Sequence, residues 1–472
     1  MRRSAQATIH AARHAVLSST LSGLALMFDG LLAVESMRSA SRSRRQRVFD
    51  HVTTFWAWLD QILQRNESCA QAVTKVQAMG EEAGLSRCSS NTAAYCKARN
   101  AMPPEFLEEI NAMVCGGMKR RVRGTERWNG LLLKAIDGSS VKLLDTAANQ
   151  DAYPQPTSQK PGCGFPVMGV TGVLNLSHGG WDAFATVPWQ RHDLFGALQL
   201  LEHFEEGDLV LADRAFNSYE LVALLLLRGA HSLMRLHQKR AKKLDWRKGR
   251  RLGRNQRIVE WKKPAYRANG LVSTEQWASL PDTMSIRLVR TNIVDRSGKK
   301  IRLIVATTLL DNDTYNGGQL VELYARRWEI ELRLRDVKTT LAMEEFHIRT
   351  PATARKTLLM VMIAYNLLKS LIQAAGQDNA IALNELSFKG TLDSVLAYEP
   401  RYRGRQRHHR LRRQIFDQLL DTVADKILDI RPFRHEPRAV KRRPKPYQLL
   451  TAPRAVFREI PHKARYRKST QS

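Results

Sequence analysis

The sequence predicts an α/β fold in which helices cover a mixed β-sheet. Strand-like and helical patterns alternate from Trp128 to residue 236, as expected of an α/β core. The segment 131–137, LLLKAID, is apolar except for Lys134 and Asp137, as expected of a central strand covered on both faces. Upstream, to about residue 125, apolar residues recur every three to four positions, a spacing typical of helices.

The other elements of the core can be predicted in chain order. Two strand-like runs flank Ser177–Gly180, a turn sequence that predicts a hairpin. Further downstream the pattern predicts a second hairpin, one long helix at 320–339 and a core helix at 353–376. The predicted strands are 167–176, 181–189, 208–213, 231–236, 286–294 and 301–310, and the intervening helices are 193–204 and 218–230.

The charge of the chain is strongly positive and unevenly distributed. The 472 residues carry a net charge of +30. Segment 238–300 contributes +13 of this and segment 401–472 contributes +15, so the remainder is almost neutral. Two local basic surfaces indicate a polyanionic partner, and nucleic acid fits best. A membrane surface or ribosomal RNA could also attract such patches, so charge alone does not choose between them.

The composition argues against a secreted or membrane protein. The five cysteines are odd in number and lack any CxxC spacing, which favours reduced thiols in the cytoplasm. The basic N-terminus has His10 and His14 where a signal peptide would be apolar. The apolar stretch 358–372 contains Asn366 and Lys369 and is shorter than the ~20 residues that span a bilayer. We therefore expect a cytoplasmic protein with no membrane association.

Two aspartates stand where predicted strands end. Asp137 precedes Gly-Ser-Ser, and Asp213 precedes Arg-Ala-Phe. A carboxylate at the end of a buried strand is costly unless it is paired or metal-bound, and ligands of open α/β sheets collect at that edge. Either aspartate could instead merely cap the following turn.

The predicted helix 320–339 has a stripe of polar groups on one face. Tyr324, Arg327, Glu331 and Lys338 fall within about 60° of one another on an ideal helix. A stripe of this kind is often just a solvated charged face. Glu329 points away from the stripe, so Glu331 is the acid that can join Asp137 and Asp213.

Three clustered carboxylates predict a metal site. They would repel one another, and one would stay protonated, unless divalent cations neutralised them. Oxygen-only ligands favour Mg²⁺ or Mn²⁺, and two such ions serve phosphoryl transfer. In a basic chain, the phosphate is expected to belong to DNA.

At this point the sequence resembles a known family. The spacing Tyr-(2)-Arg-(3)-Glu-(6)-Lys, the contexts AIDGS around Asp137 and LADRAF around Asp213, and the run 153–166 are similar to those of the IS4 family of bacterial insertion-sequence DDE transposases, whose signature is written YREK. The family also contains the Tn5 and Tn10 transposases. The resemblance covers about residues 40–375.

The resemblance implies an RNase H-like catalytic core at 126–376, interrupted by a β-rich insertion at about 238–300. It would be preceded by a helical, DNA-binding domain at 1–125 and followed by a basic, mainly helical region at 377–472 for DNA binding or dimerisation. The implied reaction is cut-and-paste transposition at terminal inverted repeats, by strand cleavage, hairpin formation and strand transfer.

The resemblance also implies roles for single residues. Asp137, Asp213 and Glu331 would be catalytic and would hold two Mg²⁺ or Mn²⁺ ions. Tyr324, Arg327 and Lys338 would contact DNA phosphates, and Arg214 would add a further contact. The partners would be double-stranded DNA, both transposon ends and target, and a second copy of the chain in a synaptic homodimer. The protein would act in the bacterial cytoplasm, at the nucleoid.

Some alternatives stay open. Family members stack an aromatic ring of the insertion on a flipped base, and Trp246, Trp261 and Trp277 are all candidates, although each could equally pack in a small β core. His192 is either a structural residue or a neighbour of the site. Two other functions compete: a different RNase H-like DNA nuclease, or a catalytically lapsed DNA-binding regulator of transposition.

Overall fold

The fold is built around one sheet of nine strands. The computed structural model describes residues 23–42, 47–65, 67–82, 87–265, 271–294, 300–343, 348–428 and 450–457. The spatial order of the strands is β3-β2-β1-β4-β5-β9-β8-β7-β6. Their bounds are β1 Leu132–Lys142, β2 Val167–Asn175, β3 Trp181–Pro188, β4 Asp208–Ala212, β5 His231–Arg235, β6 Arg250–Gly253, β7 Gln256–Lys262, β8 Thr283–Val294 and β9 Lys300–Thr307.

The first five strands form a mixed sheet, as the sequence pattern predicted, with the RNase H-like arrangement that the resemblance implied. β1, β4 and β5 are parallel, whereas β2 and β3 form an antiparallel hairpin on the outer edge of β1. β9 returns antiparallel to β5 and pairs with β8. The insertion therefore extends the same sheet through β8, β7 and β6, and does not form a small separate β core.

Helices surround this sheet. Those before β1 are α1 Gly23–Met27, α2 Val34–Ser41, α3 His51–Leu63, α4 Cys69–Glu82, α5 Ala93–Ala101 and α6 Pro104–Arg120. Those between strands are α7 Ala147–Ala152, α8 Asp193–Gln199, α9 Tyr219–Leu227, α10 Gln238–Lys243 and α11 Thr274–Ser279. Those after β9 are α12 Gly317–Ala325, α13 Trp328–Arg335, α14 Pro351–Asn379, α15 Phe388–Tyr402 and α16 His409–Ala424.

Two buried cores lie on opposite faces of the sheet. Along β4, Leu209 and Leu211 belong to one core, while Val210 and Ala212 belong to the other, as the two-residue period of a strand requires. The first core includes α14 and four of the N-terminal helices, α1, α2, α3 and α6. The second includes α8, α9 and the insertion. Apolar residues on both faces explain why β4 reads as a continuous apolar run.

Lys134, a charged residue within the apolar run of β1, is buried with a matching partner. Its Nζ donates to the backbone oxygen of His203 at 2.7 Å and lies 2.8 Å from a carboxylate oxygen of Asp208. Because a buried charge is tolerated when it is paired and hydrogen-bonded, this pair has a structural explanation.

α14 is the central helix of the first core. It is long and apolar enough to cross a membrane by length and composition, but 94% of its most apolar 18-residue window is buried inside the protein. Asn366 connects it to β3 and α6, because its amide pairs with Trp181 N and O and with Asn111 Oδ1. The polar residues in the middle of this helix, such as Asn366 and Gln373, are thus enclosed by the protein.

The predicted single helix 320–339 is wrong in detail, because the chain is helical in three pieces. α12 ends at Ala325, α13 runs from Trp328, and a π-helix covers Asp336–Thr340. Around Arg326 and Arg327 the backbone makes the tighter i→i−3 hydrogen bonds of a 3₁₀ turn. The angular positions calculated for an ideal α-helix therefore do not hold along the whole stripe.

Candidate active site

Asp137 lies within β1 and not at its end, which corrects the sequence prediction. β1 continues to Lys142 because its antiparallel pairing with β2 continues to Lys142. The parallel pairing with β4 stops earlier, at Ile136 opposite Ala212. Asp137 is therefore the first residue of β1 that follows the last residue paired with β4. Its Oδ1 accepts from the Gly138 N–H at 2.8 Å.

Asp213 directly follows β4, as predicted. Its Oδ1 accepts from the Ala215 N–H at 2.6 Å, so the carboxylate shapes the turn after the strand. The register of β1 and β4 places Asp213 next to Asp137, and the negative charge of Asp213 acts on the Asp137 carboxylate. The two aspartates thus meet at the point where β4 ends.

Glu331 approaches from α13, which packs on β1. Its carboxylate is joined to Asp137 through a guanidinium: Arg327 Nη2 donates to Glu331 Oε1 at 3.1 Å, and Arg327 Nη1 lies 3.5 Å from Asp137 Oδ2. The Arg327 side chain is 9% exposed. Arg327 therefore holds the two acids together from within the protein.

The surroundings of Asp137 disfavour its ionised form. Burial raises the pKa of Asp137 to about 6, and the negative charges of Asp213 and Glu331 add to this effect, while the Gly138 N–H and Arg327 oppose it. A raised pKa with a specific charge environment is typical of functional sites.

The donor chemistry fits a hard divalent cation, because all three side chains offer oxygen atoms. Among the described residues, however, no group of three or more His, Cys, Asp or Glu side chains is close enough to hold a metal ion. Arg327 accounts for this, since its guanidinium occupies the space between Asp137 and Glu331.

An open cleft of about 400 Å³ adjoins the acids. Asp137, Glu331 and Lys338 all line it, so the structure brings these three predicted residues together. The remaining lining residues are Gly138, Ser139, Leu334, Arg335 and Thr339. Lys338 belongs to the π-helix, which carries its ammonium to the mouth of the cleft.

The other predicted contacts differ in exposure. Tyr324 is 8% exposed, and its burial raises the pKa of its phenol. Arg214, next to Asp213, is exposed. Glu329, which was set aside from the sequence, pairs with Arg326 at 2.7 Å and is not part of the cleft.

The three tryptophans of the insertion pack against the second core, and a basic side chain covers each ring. Arg290 lies 4.4 Å from the centre of Trp246, Arg240 lies 4.3 Å from Trp261, and Lys263 lies 5.4 Å from Trp277. All three rings are partly buried. The structure does not distinguish one of them as a base-stacking residue.

Two polar residues, His192 and Asp193, follow β3 at the start of α8. His192 is the N-cap of α8, since its Nδ1 accepts from the Leu194 N–H at 3.2 Å. Asp193 was not identified from the sequence. Its local signal in the sequence was its place at the start of the predicted helix 193–204, which does not reveal the face from which its side chain arrives.

Comparisons with known proteins agree on one family. A family model described as a transposase DDE domain matches residues 128–367, about half of the chain. The transposase InsG for insertion sequence element IS4 of Escherichia coli K12 is 26% identical over 346 residues, which are 72% of this chain and 74% of InsG. A putative transposase InsZ of the same organism is 27% identical over 176 residues, covering 35% and 56% of the two chains.

One solved structure covers most of the chain at low similarity. The cryo-EM structure of a piggyBac transposase synaptic complex with hairpin DNA aligns with 86% of this chain and 86% of its own. The sequence identity is 10% and the TM-score is 0.41, values at which the likeness carries no argument.

Proposed function

The chain belongs to the DDE transposase family, and from this premise we propose that Asp137, Asp213 and Glu331 are the acids with which it cuts and joins DNA. The chain is thus an enzyme, a DNA transposase similar to that of IS4. The observation that carries the assignment is the junction of Asp137 and Glu331 through Arg327, beside Asp213 and one open cleft.

We propose Mg²⁺ or Mn²⁺ as the cofactor, with two ions held by Asp137, Asp213 and Glu331. When bound, the ions would activate a water molecule or a 3′-hydroxyl and stabilise the leaving oxygen. Burial raises the pKa of Asp137 to about 6, and the charges of Asp213 and Glu331 add to this effect. This supports the proposal, because a bound divalent cation would stabilise the ionised carboxylates.

Arg327 has a role of its own in the proposed site. Its guanidinium balances the charge of Asp137 and Glu331 and keeps both side chains directed toward one another. A DNA phosphate that reached the cleft would offer Arg327 another bidentate partner. Once Arg327 pairs with that phosphate, the carboxylates of Asp137 and Glu331 would be free to bind cations.

Two further cations suit the DNA backbone. Lys338 lines the cleft beside Asp137 and Glu331, and the exposed Arg214 follows Asp213. Both can meet a phosphate that lies over the acids. The buried Tyr324, which lies next to Arg327, would position that guanidinium and reach the DNA only at the edge of the site.

The proposed reaction is cut-and-paste transposition. Hydrolysis of one strand at each terminal inverted repeat frees a 3′-hydroxyl, which attacks the opposite strand and closes a hairpin. A second hydrolysis reopens the hairpin, and the 3′-ends are then joined to target DNA. The order of these steps, and the hairpin in particular, comes from the resemblance to the IS4 family.

The remaining proposals concern the whole chain. Residues 1–125 would bind DNA, 126–376 would catalyse, and 377–472 would bind DNA or dimerise. Two ends must be held together, which supports a homodimer in the synaptic complex, acting on double-stranded DNA. The substrate supports a location in the cytoplasm, at the nucleoid.

The first test replaces Asp213 by asparagine, which keeps the shape and the turn-forming oxygen but removes the charge. Purified full-length protein with Mg²⁺ is expected to nick, excise and join DNA that carries the repeats flanking its own coding sequence. Asp213→Asn is expected to lower strand cleavage at least ~10³-fold and to bind the same DNA within twofold of the wild type. Denaturing gels and gel-shift titrations measure the two effects.

Asp151→Asn is the matched control, because Asp151 is an exposed aspartate of the same core. It should cleave like the wild type. Cleavage by Asp213→Asn at the wild-type rate would show that the triad is wrongly assigned. Wild-type cleavage without joining would favour a nuclease.

A further inference from the structure

Two of the five cysteines meet between α4 and α5 in the N-terminal helical region. Cys69 is the first residue of α4, and Cys96 lies near the start of α5. The Cys96 thiol is hydrogen-bonded to the sulfur of Cys69, and both residues are partly exposed to solvent. Two thiols from different helices therefore lie side by side at a place that a small oxidant can reach.

A cation accompanies this pair. Arg99 follows Cys96 by three residues, so the two side chains share one face of α5. Arg99 Nη1 donates to the Cys69 sulfur at 3.6 Å and to Gln61 Oε1 at 3.1 Å. The same guanidinium lies 4.3 Å from the ring centre of Trp58. Because Gln61 and Trp58 both belong to α3, that helix holds the cation beside the Cys69 sulfur.

The two sulfurs differ in their surroundings. Burial raises the pKa of the Cys96 thiol, and the charge of Cys69 and the hydrogen bond to it add to this effect, while Arg99 and Thr92 oppose it. Cys96 therefore keeps its proton and donates it to the Cys69 sulfur. A cysteine sulfur beside a cation is the one that attacks an electrophile. The arrangement favours Cys69 as the first sulfur to react and Cys96 as the second.

The other three cysteines differ from this pair. Cys88 is also partly exposed, and the charges that act on it within the described ranges are those of Arg87 and Glu81. Cys115 donates its S–H to a backbone oxygen of β3 at 3.3 Å, and Cys163 is buried. Cys88 is thus a matched control, because it has similar exposure without a thiol among these neighbours.

We propose that Cys69 and Cys96 form a reversible disulfide when the protein meets a hydroperoxide. The Cys69 thiolate attacks one peroxide oxygen, the O–O bond breaks, and the other oxygen leaves as an alcohol or water after it takes up a proton. Cys69 is then a sulfenic acid. The Cys96 sulfur attacks it, the S–O bond breaks, and water leaves with the Cys96 proton. The two thiols together lose two electrons, which the peroxide accepts.

The disulfide joins α4 to α5 covalently, beside the contacts that Arg99 makes with α3. Disulfides in cytoplasmic proteins are usually transient and redox-sensing, and a thiol reductant would reopen this one. The N-terminal helical region would then respond to oxidants. This response does not depend on the acids of the proposed active site.

The test treats reduced, full-length protein with a small molar excess of hydrogen peroxide. Iodoacetamide then blocks the remaining thiols, and mass spectrometry maps the peptides. The wild type is expected to lose both free thiols of the pair and to give a peptide in which Cys69 is cross-linked to Cys96. Dithiothreitol should restore both thiols. A non-reducing gel should show no covalent dimer, because the bond forms within one chain.

Two variants sharpen the result. Cys96→Ser should give no cross-linked peptide and should leave Cys69 as a sulfenic acid that dimedone traps, while thermal melting checks that the variant folds. Cys88→Ser is the control and should form the Cys69–Cys96 cross-link like the wild type.

The proposal is wrong if Cys69 and Cys96 of the wild type remain free thiols while Cys88 is oxidised. Cross-links from either residue to Cys88, or between two chains, at the yield of the Cys69–Cys96 peptide would also contradict it. Strand cleavage is not a readout of this experiment, so the catalytic proposal and this one can fail separately.

Discussion

At the scale of single residues, the site is an arrangement of like charges that one arginine moderates. Arg327 contacts Asp137 and Glu331, and its own pKa is raised because Tyr324, Asp137 and Glu331 outweigh the effect of burial. Asp137 still has a pKa of about 6. The site thus retains electrostatic strain that a divalent cation can relieve, at a cost to the stability of the metal-free protein.

Asp137→Asn is therefore expected to stabilise the protein when metal is removed with EDTA. An acid whose pKa is higher in the folded state destabilises that state when ionised. The destabilisation by ionised Asp137 is complete above about pH 6. It disappears below the pKa of an aspartate in the unfolded chain, near 4. At pH 8 the variant should gain on the order of 1–3 kcal/mol in free energy of unfolding, and at pH 4 almost nothing.

Urea unfolding at several pH values measures this difference. Asp151→Asn, at an exposed position, should leave the unfolding curve unchanged. A variant that was less stable than the wild type at pH 8 would mean that the ion pair with Arg327 outweighs the repulsion.

At the scale of elements, the three helical pieces from α12 to the π-helix position different residues of the Tyr-Arg-Glu-Lys motif. The 3₁₀ turn at Arg326 and Arg327 directs Arg327 inward, and the π-helix carries Lys338 to the cleft. π-Helices are rare and often occur at functional sites. The signature spacing therefore places a buried guanidinium, a cleft acid and a cleft ammonium along an irregular helix.

α14, which lies beneath these pieces, contains a buried lysine. Lys369 is 1% exposed, its Nζ has no hydrogen-bond partner in the described structure, and it lies 5.9 Å from the ring centres of Tyr365 and Phe388. Burial and the charge of Arg333 lower its pKa well below the ordinary value, although Asp336 and Glu329 oppose this.

Lys369→Met is expected to raise the free energy of unfolding by ~1–3 kcal/mol at pH 7, because methionine fills similar space without a charge to desolvate. A lysine whose pKa is lower in the folded state destabilises the protein increasingly as the pH falls below its pKa in the unfolded chain, near 10.4. The stability gained by Lys369→Met should therefore shrink toward pH 10. Thermal melts at pH 7 and pH 10 measure it.

Lys389→Met, on the exposed face of α15, is the control and should change stability by less than ~0.5 kcal/mol. Destabilisation by Lys369→Met would show that the ammonium forms a compensating interaction in solution.

At the scale of the whole molecule, the site lies between the two cores. One core joins α14 and four of the N-terminal helices to the sheet, and the other joins α8, α9 and the insertion to its opposite face. The basic segment 238–300 extends the sheet to the edge strand β6, where Arg250 and Arg251 are exposed. Half of the second basic segment, 429–449 and 458–472, lies outside the described residues.

Binding of DNA is expected to weaken steeply with salt, because phosphate contacts release counterions. Arg250→Gln and Arg251→Gln should each reduce the slope of log K against log salt by about 0.9 if the residue contacts one phosphate. Fluorescence anisotropy between 50 and 300 mM salt, roughly the range over which such slopes are measured, gives the slope.

Arg228→Gln, at an exposed position of the catalytic core outside both basic segments, should leave the slope unchanged. Unchanged slopes for both arginine variants would mean that these charges serve only to protect the edge of the sheet from pairing with another chain.

The sequence by itself determined the chemistry of this protein. The residue types and spacing of Tyr324, Arg327, Glu331 and Lys338, with the contexts of Asp137 and Asp213, were sufficient to predict the family. The apolar runs predicted the strands of the core, because a strand buried on both faces must be apolar throughout. Local patterns of this kind depend on neighbours in the chain, so they can be read without a structure.

Only the tertiary structure decided how these groups meet. It showed β1 continuing past Asp137, the helix broken at Arg326 and Arg327, and Arg327 turned between two acids. It also brought Asp193 against Gly138 from the opposite face of the sheet. These features depend on pairing and packing between segments far apart in the chain, and the periodicity of a single segment contains no information about them.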